Sequence, residues 1–140
     1  MIDLIKSDLE NVSRELVSAF QGILSWKWDS YLDTVLAEFD VGDKDSIRAV
    51  LERFLGSTWD RSNIGKAPHI VQMVNSNYGG LRSRQLLFTS DPNQDEIIFG
   101  AWWPWDNGET ISIRIAPYSR KVSDSKKGEQ IKRFKDLFGI

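Results

Sequence analysis

The chain contains no cysteine, which excludes disulfides and thiolate-held metal sites. It has a single histidine, His69, so an ordinary zinc site would lack ligands. No apolar run approaches the roughly 20 residues needed to cross a bilayer. The start, Met1-Ile2-Asp3-Leu4-Ile5-Lys6, has neither the basic stretch nor the apolar core of a signal peptide. A cytoplasmic protein with no membrane partner is therefore expected. Repeats and low-complexity tracts are missing as well. So are the common catalytic templates. The glycine pair in Asn77-Tyr78-Gly79-Gly80 lacks the lysine and following helix of a phosphate loop. No G-x-S-x-G nucleophile elbow occurs. No cofactor is expected, and the chain reads as non-enzymatic. Carboxylate-only chemistry stays open as an alternative, because 20 acids make some close pair inevitable.

What is present suits one folded unit. A chain of 140 residues has the usual length of a single domain, and it is long enough to bury roughly 70% of its unfolded surface. The net charge of −2 hides an asymmetry. Residues 1–45 carry ten acids against four bases, a net of −6. Residues 114–135 carry eight bases against two acids, a net of +6. Such polarity either steers a charged partner or is spent internally, with the two ends packed together.

Hydrophobic spacing divides the chain into a helical part (1–60), a sheet (68–117) and a C-terminal helix (123–138). Ile2, Ile5, Leu9, Val12, Leu16, Phe20, Ile23 and Leu24 recur in steps of three and four, the period of an amphipathic helix. Trp28, Tyr31, Leu32, Val35, Leu36 and Phe39 predict a second helix. Asp43 or Asp45 as N-cap, then Ile47, Val50, Leu51, Phe54 and Leu55, predict a third. Residues 57–68 read as a loop, with one helical turn near Trp59. Strands are expected at His69–Val74, Arg82–Thr89, Glu96–Trp103 and Thr110–Ala116, with Pro117 ending the sheet. Ile131, Phe134, Leu137 and Phe138 mark the last helix. The expected architecture is α+β: three N-terminal helices, a four-stranded antiparallel meander and a C-terminal helix, all in one domain over 1–140.

The final hairpin admits two registers. A two-residue loop at Asn107-Gly108 pairs Trp103 with Ser112 and Ala101 with Arg114. A three-residue loop, Asp106-Asn107-Gly108, pairs Trp103 with Ile111 and Phe99 with Ile115. A slip of one residue turns every side chain to the opposite face. The second register joins the larger apolar sets and is preferred. It directs Trp103 into the core and leaves Trp102 on the face of Ser112 and Arg114.

The segment Phe99–Glu109 holds three tryptophans in four positions, at 102, 103 and 105. Tryptophan and arginine dominate interface energetics. Trp102, Trp105, Asp106, Glu109 and Arg114 form a candidate partner-binding patch, set against the bland reading in which helices cover all three rings. The acidic stretch Asp29, Asp33, Glu38, Asp40, Asp43 and Asp45 is a second candidate surface, with Asp29, Asp33, Asp40 and Asp43 as its candidate contacts, able to mimic the charge of a phosphate chain. A solvated helix face is the bland reading there. The basic tail, Lys126 to Lys135, has only Phe134 interleaved, which disfavours nucleic acid. These features point to a non-catalytic module that binds another protein, in its concrete form an immunity or antitoxin-type inhibitor covering the active site of a toxic enzyme. The alternative is a small-ligand binder or carboxylate enzyme built on the tryptophan-rich sheet.

Overall fold

The computed structural model describes residues 2–120 and 123–140, with side chains from residue 9 onward except that of residue 124. The side chains of Ile2 and Ile5, expected on the buried face of the first helix, lie outside the described residues, as do the charges of Asp3, Lys6, Asp8, Lys121 and Asp124. The fold is α+β, with four α-helices and one six-stranded antiparallel sheet among the described residues.

Helix α1 (Ile2–Phe20) follows the predicted spacing, and Leu16 and Phe20 are fully buried. It ends where Gly22 takes φ +78°, a left-handed conformation that a Cβ disfavours. Residues 28–39 do not form the predicted second helix. They form strand β1 (Lys27–Asp29), a tight turn and strand β2 (Thr34–Asp40). Asp33 makes the turn with φ +54°, and Tyr31 is 90% exposed rather than on a buried face. The helical spacing is a coincidence of the first half of this strand. Thr34, Val35, Leu36 and Ala37 are all buried, so the alternation that marks a half-buried strand is lost.

Helix α2 (Lys44–Phe54) lies close to its expected position and buries Ile47 and Leu51. A 3₁₀ turn at Val41–Asp43 precedes it, capped by Asp40, whose carboxylate accepts the Gly42 amide at 2.7 Å. The expected loop then contains strand β3 (Ser57–Trp59) in place of a helical turn. His69–Val74 is not a strand either. It begins helix α3 (His69–Asn77), directly after Pro68. Ile70, Val71 and Val74 are buried on one face while Gln72 and Ser76 face outward, so helical spacing overrides the strand preference of β-branched residues. Strands β4 (Leu86–Thr89), β5 (Glu96–Pro104) and β6 (Thr110–Ser119) complete the sheet. Helix α4 (Asp124–Leu137) starts at Ser123, whose hydroxyl accepts the Lys126 amide.

The sheet order is β1-β2-β6-β5-β4-β3. Three of the four predicted strands, as β4, β5 and β6, therefore form its middle, extended by β1 and β2 on one side and β3 on the other. Pro117 does not end the sheet; it sits in β6 opposite Ile98. Ile98 exchanges its backbone bonds with Ser90 instead, donating to its Oγ and accepting from its amide. The missing N–H of Pro117 thus interrupts no bond to β5. On the other flank the β2 ladder ends at Val35–Ile115, before it reaches Pro117.

The last hairpin takes the register that was not preferred. Trp103 pairs with Ser112, Ala101 with Arg114 and Trp102 with Ile113. Trp105 donates to the Thr110 carbonyl at 2.8 Å, closing a four-residue turn over Asp106–Glu109 in which Gly108 takes φ +72°. The Asn107 side chain accepts the amides of Glu109 and Thr110, which fixes the turn. This register places Ile111, Ile113 and Ile115 on one face with Trp102, Val35, Ala37, Phe39 and Phe88. That face carries the main core, packed by Leu16 and Phe20 of α1, Ile47 and Leu51 of α2, and Phe134 and Phe138 of α4. On the opposite face, Ile70, Val71 and Val74 of α3 cover Leu87, Ile97, Phe99 and Ala116 in a smaller core. Three helices thus lie on one side of the sheet and one on the other.

Candidate partner-binding face

One helix cannot cover a six-stranded sheet. The packing of α3 stops at Leu87, Phe99 and Ala116. Beyond it, three cross-strand rows share the same face: Leu36–Arg114–Ala101, Glu38–Ser112–Trp103, and Asp40–Thr110 with Trp105 alongside. None of the side chains in these rows belongs to either packed core. Leu36, Ala101 and Ser112 are buried, and Arg114, Trp103 and Thr110 are half-buried.

Arg114 lies at the centre of this area. Its guanidinium sits over the indole of Trp103, 4.6 Å from the ring centroid. Its Nε donates to Asp29 Oδ2 at 3.3 Å, and both side chains keep less than a fifth of their surface in water. Lys27 and Glu38 form a second, more exposed pair at 3.4 Å. Trp105 at the end of β5 is 42% exposed. Around it the chain gathers acids from two regions. The Val41 amide donates to the Glu109 carbonyl at 2.8 Å, which brings Asp40 and Asp43 beside the hairpin turn that holds Asp106 and Glu109. These four carboxylates make no ion pair among the described residues. The basic helix α4 packs on the other side of the sheet from these four acids. Two ion pairs among the described residues join the two ends, Arg133 with Glu10 at 3.2 Å and Arg114 with Asp29.

The sequence-derived candidates divide accordingly. Trp105, Arg114, Asp29 and Asp40 lie on the open face, with Asp106, Glu109 and Asp43 at its end. Trp102 does not: it is 5% exposed, edge-on to Phe39 and Phe88 in the main core. The one-residue difference in register exchanges its place with Trp103. Asp33 lies in the β1–β2 turn, at the other end of β2 from Asp40. Leu36 and Glu38 lie here too, Glu38 as part of the acidic stretch singled out in the sequence, while Leu36, Trp103, Ser112 and Thr110 were missed. Only the pairing of β2 with β6 brings Leu36 and Glu38 onto this face, and no helix at 28–39 can reveal it.

The covered and open halves meet at Tyr78. Its ring lies tilted against Phe99, and its hydroxyl donates to the Leu32 carbonyl at 3.2 Å, tying the end of α3 to the β1–β2 turn. Burial pushes the phenol up to about 12, and the carboxylates of Asp33 and Asp29 add to the rise. The neutral phenol is thus favoured in the fold. Stability is unaffected by this group below its ordinary value of 10.0 and is lost as pH climbs to about 12. Urea unfolding at about pH 9 and about pH 11.5 will show a steeper drop for the wild type than for Tyr78→Phe.

Two grooves, of about 630 and 360 Å³, open elsewhere, the first between α1 and α4 and the second beside Phe54 and Gly56. Neither is lined by a tryptophan. The first mixes Glu10, Glu129 and Asp136 with Lys126, Lys132 and Arg133. Among the described residues no three of histidine, aspartate and glutamate come together to hold a metal ion, and no helix is long and apolar enough to cross a membrane. Compared with known proteins, the chain matches no family model, no curated protein and no solved structure.

Proposed function

We propose that this protein is a non-catalytic binding module that holds another protein against the open half of its sheet. The observation that carries the reading is an uncovered sheet surface with two tryptophans, Trp103 and Trp105, an arginine stacked on one of them, and unpaired carboxylates at its end. Such a surface offers flat area, rigid aromatic anchors and a fixed sign of charge, which are properties of a protein interface. A small-ligand site would instead be a pocket converging on the indoles. The inhibitor form of the proposal assigns the acids a role. Asp40, Asp43, Asp106 and Glu109 would enter the basic cleft of an enzyme that acts on phosphate-bearing substrates, while Trp105 anchors the rim. Cytoplasmic action on a toxic enzyme fits this form.

The test is a pull-down from the native cell with wild type and Trp105→Ala. Trp105 is exposed, so its loss should change stability by no more than about 0.5 kcal/mol. Recovery of a defined protein by the wild type, and at least about tenfold weaker binding of that protein by the variant, is the expected result. For the inhibitor form, the protein recovered is an enzyme whose activity the wild type suppresses at equimolar ratio. Recovery of the same protein at equal affinity by both chains rejects the face.

A further inference from the structure

Strand β1 is only three residues long and pairs with β2 from Thr34 to Leu36. Strand β2 runs on to Asp40. The parity of its bonds is fixed at the far end, where the Val41 amide reaches the Glu109 carbonyl of the hairpin. Counting back in twos, Phe39, Ala37 and Val35 bond to β6. Leu36, Glu38 and Asp40 therefore turn their N–H and C=O groups the other way. Leu36 meets Lys27 of β1. Continuing that ladder would pair Ser25 with Glu38, but no such bond forms. The chain leaves the sheet at this point because Trp26 packs edge-on between Phe20 and Phe138. The amide and carbonyl of Glu38 and the amide of Asp40 are left without backbone partners among the described residues, while the Asp40 carbonyl opens the 3₁₀ turn that follows.

We infer that this bare edge of β2 accepts an extended, basic segment of the partner as an added strand. The inference rests on the binding-face reading above and names how and by what chemistry that face is used. Added strands gain affinity from main-chain bonds and specificity from alternate side chains. Here the alternation is set by the host. Glu38 and Asp40 point to the open face, while Ala37 and Phe39 point to the helix-covered side and are buried. The incoming strand therefore carries lysine or arginine at every second position, facing the carboxylates, and apolar residues between. Charge on an open edge ordinarily blocks pairing between identical chains. Two copies of this edge would set acid against acid, so the same residues that repel a second copy admit a cationic strand.

The probe is an end-blocked peptide alternating lysine and valine, added to the full chain with amide exchange followed by NMR. Exchange at Glu38 and Asp40 should slow by at least about tenfold. A peptide with glutamate in place of lysine should give no protection. N-methylation of all lysines in one control peptide and of all valines in another should abolish protection in one of the two, since only one set of amides faces β2. Glu38→Lys with Asp40→Asn should shift the preference to the glutamate peptide; asparagine retains an oxygen to cap Gly42. Unchanged exchange at Glu38 and Asp40 with the lysine peptide, or full binding by both N-methylated peptides, overturns the inference. Loss of the edge result with intact dependence of partner binding on Trp105 sinks the inference alone. Edge protection with no such dependence sinks the face and leaves the strand site standing.

Discussion

Trp102→Ala will lower the unfolding free energy by about 3–5 kcal/mol, the range for removing a large aromatic ring from a packed core. Trp102 is 5% exposed and meets Phe39 and Phe88 edge-on, at centroid distances of 5.3 and 5.9 Å. The cavity left by the indole would lie over β5, which at Trp102 is paired with β4 on one side and β6 on the other and cannot collapse to fill it. The edge-on pairs add about 0.5–1.5 kcal/mol each beyond burial. Trp103→Ala should fall between the extremes, since its ring is half-buried under Arg114. Trp105→Ala should leave the transition nearly unmoved. Urea unfolding followed by far-UV circular dichroism measures all three. An equal loss at the three positions would mean that all three rings are core, and the open face would have no anchor.

That ordering reverses the expectation from sequence, and the reversal shows what limits such a reading. Elements with one buried face were legible. In α1, α2 and α4 the apolar residues recur with helical period, and β6 alternates isoleucine with polar residues. A strand that opens with a continuous buried run was not. In β2, Thr34 to Ala37 are all buried and alternation sets in only at Glu38, so its spacing also fitted a helix. Helix α3 was misread for a different reason. Ile70, Val71 and Val74 are strand-formers by type, while their spacing of one and three is helical, and type was weighed above spacing. The hairpin register depended on β2 and β4, whose Val35, Ala37, Phe39 and Phe88 enlarge the apolar set on the isoleucine side. Without those neighbours the comparison of faces was incomplete. The candidate site inherited that error. Its acids, its arginine and Trp105 were readable, but Trp103 and Leu36 required the sheet order.

Arg114→Ala is expected to cost about 2–4 kcal/mol, combining a charge-assisted hydrogen bond and a cation–π contact. The guanidinium bridges two otherwise separate parts of the open face: Trp103 from β5, at 4.6 Å, and Asp29 from β1, at 3.3 Å. Its removal leaves the Asp29 carboxylate mostly out of water without a cation, which costs more than the pair itself is worth. Asp29 also accepts the Tyr31 amide at 2.9 Å, so the β1–β2 turn loses part of its anchor. Arg114→Lys should recover little, because an ammonium cannot both stack on the indole and reach the carboxylate through a planar fork. A double-mutant cycle with Asp29→Ala separates the terms. Coupling of about 1–2 kcal/mol is expected, with the remainder of the Arg114 effect surviving in the Asp29→Ala background as loss of the Trp103 stack. Coupling near zero would mean that the ion pair is solvated. Arg114 would then act on Trp103 alone, and the edge formed by β1 and β2 would be free to move relative to the tryptophan-bearing hairpin.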